Sequence, residues 1–261
     1  MGLTNLFQSQ AYGAYETKLE SEILKGGPLP THVAIIMDGN RRYAKEILRA
    51  DDPKEGHVKG KDKLEEVMDW CFDLGIRNLT VYAFSTENFS RPDDEVDFLL
   101  ELIKDTLVEL SDDKGIHEKR VRLRVIGEKD MLDGNFLRAA DEAMARTSGY
   151  SDFNFNIAIA YGGRQEIVTA VKKIATDVRE GRLDVSEIDE ALLSSNMYMG
   201  DIPDPDLVLR TSGELRLSNF LIWQLAYAEL YFTDVYWPGF RYVDFLRAIR
   251  SFQQRNRRYG R

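Results

Sequence analysis

The chain has few of the features that mark secreted or membrane proteins. Its one cysteine, Cys71, can form no internal disulfide, and its apolar neighbours predict a buried thiol. No apolar run approaches the roughly 20 residues that span a bilayer. The first ten residues lack the basic flank and apolar core of a signal peptide. These absences favour a protein of the cytoplasm.

An excess of positive charge is also missing. The chain has 35 Lys and Arg against 44 Asp and Glu, a net charge of −9, so we expect no nucleic-acid partner. Neither repeats nor a low-complexity linker divide the sequence. We therefore expect a single domain over residues 31–261, preceded by an N-terminal helical extension over residues 1–30. The sequence Gly26-Gly27-Pro28-Leu29-Pro30 ends that helix.

Short apolar runs that alternate with helical patterns predict an α/β fold. The runs are Val33–Met37, Leu79–Phe84, Val121–Ile126, Phe153–Ala160, Leu207–Leu209 and Leu230–Val235. Continuous apolar runs are typical of strands buried on both faces, whereas the third run alternates with arginine and is expected nearer an edge. Strands separated by helices predict a mainly parallel six-stranded sheet flanked by helices.

Polar residues follow several of these strands. They are Asp38 to Tyr43, Ser85 to Arg91, Tyr161 to Arg164 and Arg210 to Gly213. In such folds ligands bind beyond the carboxyl ends of the strands, so these segments are expected to meet at one edge of the sheet. Arginines, small residues and carboxylates together are suited to a diphosphate and a metal ion.

Asp38 is the first candidate in this group. A carboxylate next to a phosphate site can hold Mg²⁺, which prefers one or two carboxylates plus substrate oxygens. Gly39 would let the backbone approach a ligand closely. A second reading remains open, in which Asp38 or Asn40 only caps the helix that follows.

Six blocks of sequence closely resemble signatures of the undecaprenyl diphosphate synthase family of cis-prenyltransferases. They are His32–Arg42, Tyr82–Asn88, Ala160–Arg164, Leu209–Glu214, Ser218–Gln224 and Ala226–Phe232. The resemblance implies condensation of isopentenyl diphosphate onto an allylic primer, farnesyl or geranylgeranyl diphosphate. The product would be a polyprenyl diphosphate that serves as a lipid-carrier precursor. It also implies Mg²⁺ as cofactor and an apolar tunnel for the growing chain.

The resemblance further implies a role for individual residues. Asp38 would be catalytic and hold Mg²⁺, Glu229 would be the second metal carboxylate, and Asn88 would assist proton removal. The residues implied for the allylic diphosphate are Gly39, Asn40, Arg41, Arg42, Tyr43 and His57. Those of a second substrate loop are Ser85, Thr86, Glu87, Phe89 and Arg91, and those for isopentenyl diphosphate are Arg210, Arg216, Leu217 and Ser218.

Other features concern the assembly and the lineage. The family pattern implies a homodimer, in which Arg258 and Gly260 complete the neighbouring subunit's site, and peripheral membrane contact for product release. Leu215 stands where bacterial members often have histidine, and Arg41 replaces a frequent glycine. Together with the long segment 46–55, in which Arg49 is a further candidate phosphate ligand, these departures are more typical of archaeal or eukaryotic members than of bacterial ones, and we expect an archaeal-like member.

Three alternatives stay open at this point. Asp93-Asp94-Glu95-Val96-Asp97 matches DDxxD, the metal-binding motif of the all-helical trans-prenyltransferases. Acidic residues in the first turn of a helix are also favoured because they interact with the positive end of the helix dipole. The wide apolar stripe between Val96 and Leu110 fits either core packing or an apolar channel. The chain could instead be a catalytically silent partner subunit, or a phosphate-binding hydrolase on a similar scaffold.

Overall fold

The structure, a computed structural model, describes the backbone of residues 3–256 and the side chains of residues 13–255. Within that range all six expected strands are present: β1 (His32–Ile36), β2 (Asn78–Ser85), β3 (Val121–Ile126), β4 (Phe153–Tyr161), β5 (Leu207–Arg210) and β6 (Glu229–Phe232). They form one sheet in the order β3-β4-β2-β1-β5-β6, and every pair is parallel. The predicted parallel α/β sheet is confirmed.

Strand β1 lies in the interior of the sheet, between β2 and β5. Val33 lies opposite Leu79 on one side and Leu207 on the other. All residues of β1 are buried, as its continuous apolar run predicts. The third run is an edge strand, also as expected. β6 ends at Phe232, before the Val235 that the sequence predicted.

Helices connect and cover the strands. They are α1 (Leu3–Gly26), α2 (Asn40–Tyr43), α3 (Lys54–Asp73), α4 (Asp93–Asp112), α5 (Lys114–Glu118), α6 (Gly134–Thr147), α7 (Gly163–Arg179), α8 (Glu190–Ser195) and α9 (Tyr242–Asn256). Because side chains alternate across a strand, β1 contributes to both layers. Val33 and Ile35 pack into the larger apolar cluster, and Ala34 and Ile36 pack into the smaller one.

The N-terminal extension packs against the C-terminal helix. Leu19 and Ile23 of α1 are buried and belong to the larger apolar cluster. The Gln253 side chain of α9 donates hydrogen bonds to the carbonyls of Ile23 and Gly27, at 2.9 and 3.0 Å. Residues of α1 therefore share the core of the main domain.

Two expectations from composition can be examined in the structure. Cys71 is fully buried, as predicted, and burial raises the pKa of its thiol above the ordinary value. None of the helices in the described range has the length and apolar character needed to cross a membrane.

Candidate active site

Asp38 lies just beyond the carboxyl end of β1 and is held between two arginines. Its Oδ1 accepts a hydrogen bond from Arg42 Nη2 at 3.3 Å, and its Oδ2 accepts one from Arg210 Nη2 at 2.8 Å. Its backbone is held by Thr211, whose hydroxyl donates to the Asp38 carbonyl at 2.6 Å. The residue that caps α2 is Gly39, and no side chain caps it. The capping interpretation of Asp38 is therefore wrong.

Gly39 has no room for a side chain. Its φ of 103° lies in the left-handed region that favours glycine. An added Cβ would come within 2.8 Å of the Tyr236 ring and 2.9 Å of Ser212 Cβ. Glycine at this position lets the loop after β1 close against the segment after β5.

A cavity of about 320 Å³ opens beside this loop. Its lining residues are Met37, Asp38, Gly39, Asn40, Arg41, Arg42, His57 and Arg91. All except Met37 carry substrate roles implied by the resemblance, and the structure brings them together from three separate segments. With three arginines and one carboxylate, the lining favours a multiply charged anion.

A buried carboxylate organises one wall of the cavity. Glu95, only 6% exposed, accepts a hydrogen bond from Arg91 at 3.0 Å and lies 3.8 Å from Arg41 Nε. Glu95 also lies 3.8 Å from His57 Nε2. Sequence reasoning treated Glu95 as a helix-end acid and missed this contact, which only the tertiary structure creates.

His57 is neutral at pH 7. Burial, reinforced by the charge of Arg91, lowers its pKa from 6.5 to about 4, so its contact with Glu95 is not an ion pair. Its Nε2 is buried and has no hydrogen-bond partner among the described residues. Other atoms of His57 line the cavity, while Nε2 faces Glu95.

Gly56 and Gly60 allow α3 to lie close to Asn40, which determines the position of His57. An added Cβ on Gly56 would lie 2.0 Å from the Asn40 carbonyl oxygen, and one on Gly60 would lie 2.5 Å from Asn40 Oδ1. Both face one side of α3 because residues i and i+4 share a helix face. The helix can therefore approach the loop after β1 closely enough for His57 to reach the cavity.

The segment after β2 forms a closed turn over Thr86–Ser90. Asn88 Oδ1 accepts from the Ser85 backbone N–H at 2.9 Å, and the Ser85 side chain accepts from the Asn88 backbone. Phe89 packs edge-on against Phe84, with 4.9 Å between ring centroids. The Thr86 hydroxyl is buried in the same turn.

Glu87 in the same turn is held as a carboxylate. Burial opposes ionisation, but hydrogen bonds from its own backbone, Ser85, Asn219 and Thr86 together hold its pKa below the ordinary value. The turn thus carries a negative charge toward the segment after β5.

Arg210 connects that segment to Asp38. It is only 4% exposed, and its Nη1 donates to Ser218 Oγ at 2.8 Å and to the Arg216 carbonyl. The Arg216 side chain itself is exposed and paired with Glu214 at 2.5 Å. Leu217 packs against the smaller apolar cluster. The structure therefore brings Arg210 and Ser218 together but leaves the Arg216 guanidinium at the surface.

Tyr43 and Glu229 lie away from the cavity. The Tyr43 ring lies against Gly239, 3.3 Å from where a Cβ on that glycine would be. Glu229 opens β6 opposite Leu207, which is level with Val33 at the start of β1. Asp38 follows the far end of β1, about 16 Å further along at roughly 3.3 Å per residue.

Within a single chain the structure therefore does not bring Glu229, the implied second metal carboxylate, close to Asp38. Glu229 instead pairs with Arg255 at 2.9 Å. In the described part of the chain no three His, Cys, Asp or Glu side chains form a group that could hold a metal. Arg258 and Gly260, assigned to a partner's site, lie outside the described residues.

An apolar pocket of about 80 Å³ adjoins the charged cavity. The two share Met37, Asn40 and His57. The pocket lies between α3, α4 and the sheet, and its apolar lining includes Leu64, Ala83, Leu99, Leu102, Ile103 and Ile157. Part of the wide stripe on α4 thus faces a space, while Leu107 and Leu110 pack into the core.

Comparisons with known proteins agree with this geometry. The family model "Putative undecaprenyl diphosphate synthase" matches residues 36–260. A curated relative from Pyrococcus abyssi, named tritrans,polycis-undecaprenyl-diphosphate synthase (geranylgeranyl-diphosphate specific), is 54% identical over 98% of this chain and 96% of its own. A relative of the same name from Methanopyrus kandleri is 52% identical over 96% of this chain and 91% of its own.

Solved structures support the same assignment. Lavandulyl diphosphate synthase from Lavandula x intermedia, in complex with dimethylallyl diphosphate, has a TM-score of 0.79 at 37% identity, covering 86% of this chain and 95% of its own. A probable undecaprenyl diphosphate synthase from Campylobacter jejuni has a TM-score of 0.72 at 34% identity, covering 90% of this chain and 100% of its own. The chain belongs to the undecaprenyl diphosphate synthase family and is a cis-prenyltransferase, not a silent partner subunit.

Proposed function

We propose that the chain condenses isopentenyl diphosphate onto geranylgeranyl or farnesyl diphosphate to make a long polyprenyl diphosphate. The position of Asp38 carries this proposal, because it joins an arginine-lined cavity to Arg210 at the carboxyl end of β5. Two phosphate sites on either side of one carboxylate suit a reaction between two diphosphates. The names of the archaeal relatives favour geranylgeranyl diphosphate as the primer.

Mg²⁺ fits this site when it arrives with a substrate. Asp38 is a single, partly exposed carboxylate on the cavity wall, and Mg²⁺ is commonly held by one or two carboxylates together with substrate phosphate oxygens. When bound, the ion would neutralise charge on the leaving diphosphate. Asp38 is the side chain that would hold it.

The chain's own residues can serve each part of the condensation. The C1–O bond of the primer breaks, its diphosphate leaves, and Arg41, Arg42 and Arg91 offset the charge that develops. A C1–C4 bond forms with isopentenyl diphosphate, whose phosphates Arg210 and Ser218 hold. The proton lost from C2 goes to an oxygen of the departing diphosphate, which the Asn88 Nδ2 would hold while Oδ1 accepts from the Ser85 N–H.

The apolar pocket is the proposed start of a tunnel for the growing chain. It adjoins the cavity where the primer's diphosphate would lie, so the hydrocarbon would enter between α3 and α4. Burial of each five-carbon unit contributes up to about 4 kcal/mol, at roughly 0.8 kcal/mol per carbon. Widening between the two helices would have to accompany elongation, since the pocket holds only about 80 Å³.

We also propose a homodimer in which Arg258 and Gly260 of one subunit act at the other's site. Glycine permits close approach to a phosphate, and arginine supplies the charge. The arginine-rich C-terminus would in addition favour contact with an anionic membrane surface, where the lipid product must go.

A primer panel tests the proposed function. Purified protein is incubated with Mg²⁺, labelled isopentenyl diphosphate and dimethylallyl, geranyl, farnesyl or geranylgeranyl diphosphate, and the products are sized. We expect long cis-polyprenyl diphosphates, formed fastest from geranylgeranyl diphosphate. No incorporation with any primer would reject the proposal.

Neutralising Asp93 and Asp94 together is expected to leave the Mg²⁺ requirement and most of the activity unchanged. Both residues lie in the first turn of α4, where acidic side chains interact favourably with the positive end of the helix dipole. Asp94 is 78% exposed and its nearest cation is Lys54 at 3.9 Å. We expect D93N/D94N to retain at least about half of wild-type kcat/KM, a change under roughly 0.4 kcal/mol.

The measurement is a Mg²⁺ titration of the initial rate with wild type and D93N/D94N. E95Q on the same turn is the matched comparison, because Glu95 holds Arg91 beside the cavity. A loss in D93N/D94N as large as that of an Asp38 variant would restore the DDxxD interpretation.

A further inference from the structure

Asn219 lies where three strand-end segments meet. It follows Ser218 on the segment after β5, and its backbone carbonyl accepts from the Gly163 N–H at 2.7 Å. Its Oδ1 accepts from the Arg164 N–H at 3.0 Å, and its Nδ2 donates to Glu87 Oε1 at 3.2 Å. One side chain thus links the segments after β2, β4 and β5.

The backbone around Asn219 is held in an uncommon conformation. Asn219 has a φ of 63° and Ser218 a φ of 50°, both in the left-handed region. Asparagine tolerates this region better than most residues, but serine gains nothing from it. The surrounding contacts must therefore maintain this shape at Ser218.

The segment after β4 is built to receive Asn219. A Cβ on Gly162 would lie 2.7 Å from Asn219 Nδ2, and one on Gly163 would lie 3.1 Å from its carbonyl oxygen. Gln165 Oε1 accepts a second hydrogen bond from Nδ2 at 3.1 Å. Every polar atom of the Asn219 side chain has a partner, so its orientation is determined on both ends.

The neighbour that this arrangement positions is Ser218. Its hydroxyl accepts from Arg210 Nη1 at 2.8 Å, and its carbonyl accepts from Tyr82 OH at 3.3 Å. Arg210 in turn reaches Asp38. A shift of Asn219 would therefore move the hydroxyl against which Arg210 is aligned.

We infer that Asn219 is a positioning residue that holds Ser218 and Arg210 in place for isopentenyl diphosphate, through its bond to Glu87. This inference rests on the proposed function. Removal of the side chain should weaken binding of isopentenyl diphosphate more than that of the primer, because all residues that line the primer's cavity except Arg91 lie on segments that Asn219 does not hold.

The test begins with N219G, which keeps the left-handed backbone accessible and removes only the side chain. We expect KM for isopentenyl diphosphate to rise about tenfold, roughly the factor that one or two ordinary hydrogen bonds supply. KM for geranylgeranyl diphosphate should change less than about twofold by the same arithmetic. N135G, at an exposed position in α6, is the matched control for an Asn→Gly change and should alter neither KM.

A double-mutant cycle identifies the bond to Glu87. N219D places a second carboxyl group against the ionised Glu87 and should lower activity increasingly as the pH rises and the introduced group loses its proton, whereas the ratio of N219G to wild type should stay flat. In E87Q/N219D the side chain at position 87 becomes the hydrogen-bond donor and the side chain at position 219 becomes the acceptor. The double variant should therefore be more active than the summed activity losses of E87Q and N219D predict. Circular dichroism of N219D, E87Q and the double variant establishes that they fold, and the cycle then remains decisive if N219G does not fold.

An unchanged KM for isopentenyl diphosphate in N219G, or additive losses of activity across the cycle, would overturn the inference about Asn219. The proposed function would still stand in that case, provided that the wild type is active. An inactive wild type would instead reject the proposed function itself.

Discussion

Replacement of Asp38 by alanine is expected to lower kcat/KM at least about 1000-fold, which corresponds to roughly 4 kcal/mol of transition-state stabilisation. Among the residues that the structure describes, Asp38 is the only carboxylate on the wall of the charged cavity, and both of its oxygens are oriented by arginines. Loss of the side chain removes the proposed Mg²⁺ ligand. It also leaves Arg42 and Arg210 without the partner that they share.

The control for this prediction is stability. Arg210 is buried, so loss of its partner can cost about 1–3 kcal/mol in folding. Thermal unfolding of D38A and of the isosteric D38N separates this effect from catalysis, since D38N keeps the shape but not the charge. The backbone bonds to Thr211 remain in both variants. Retention of more than a tenth of wild-type activity by folded D38A would contradict the metal role.

The strands could be predicted because burial on both faces demands continuous apolar runs. The order of the strands could not, because no local signal states that β1 lies between β2 and β5. The edge position of β3 was predictable for the opposite reason. Its arginines mark a half-exposed strand, and Arg124 pairs with Asp201 at the surface.

The candidate site was predictable as far as it follows the ends of strands. Residues at or beyond the carboxyl ends of parallel strands share an edge of the sheet, and Asp38, Arg91 and Arg210 do so. The position of Glu229 in the sheet could not be predicted from the family resemblance alone. Glu229 is the first residue of β6, and the start of a parallel strand lies at the opposite edge of the sheet from a residue that follows a strand.

Glu95 and Asn219 were missed for two physical reasons. An acid in a first helical turn has a sufficient local explanation, so the sequence gives no sign that Glu95 is buried against Arg91. The role of Asn219 depends on a left-handed backbone and on contacts with Glu87 and Arg164, which lie 132 and 55 positions earlier in the sequence. Neither property has a signature in a single sequence.

Replacement of Arg210 by lysine is the second large effect that we expect. Arg210 uses both ends of its guanidinium, one on Asp38 and the other on Ser218 and the Arg216 carbonyl. Lysine keeps the charge but has a single point of attachment, so it cannot hold both sides of the site. We expect kcat/KM to fall about 100-fold in R210K and about 1000-fold in R210A, or roughly 3 and 4 kcal/mol.

Arg216 offers a matched comparison on the same segment. Its guanidinium is 61% exposed and bound to Glu214, so R216A should reduce kcat/KM by about tenfold at most, mainly through KM for isopentenyl diphosphate. R210K should raise that KM and also lower kcat, because Arg210 orients Asp38 as well. Equal effects of R210K and R216A would contradict the bridging role. An effect of R210K confined to KM would mean that Asp38 is oriented without it, and that Arg42 alone aligns the carboxylate.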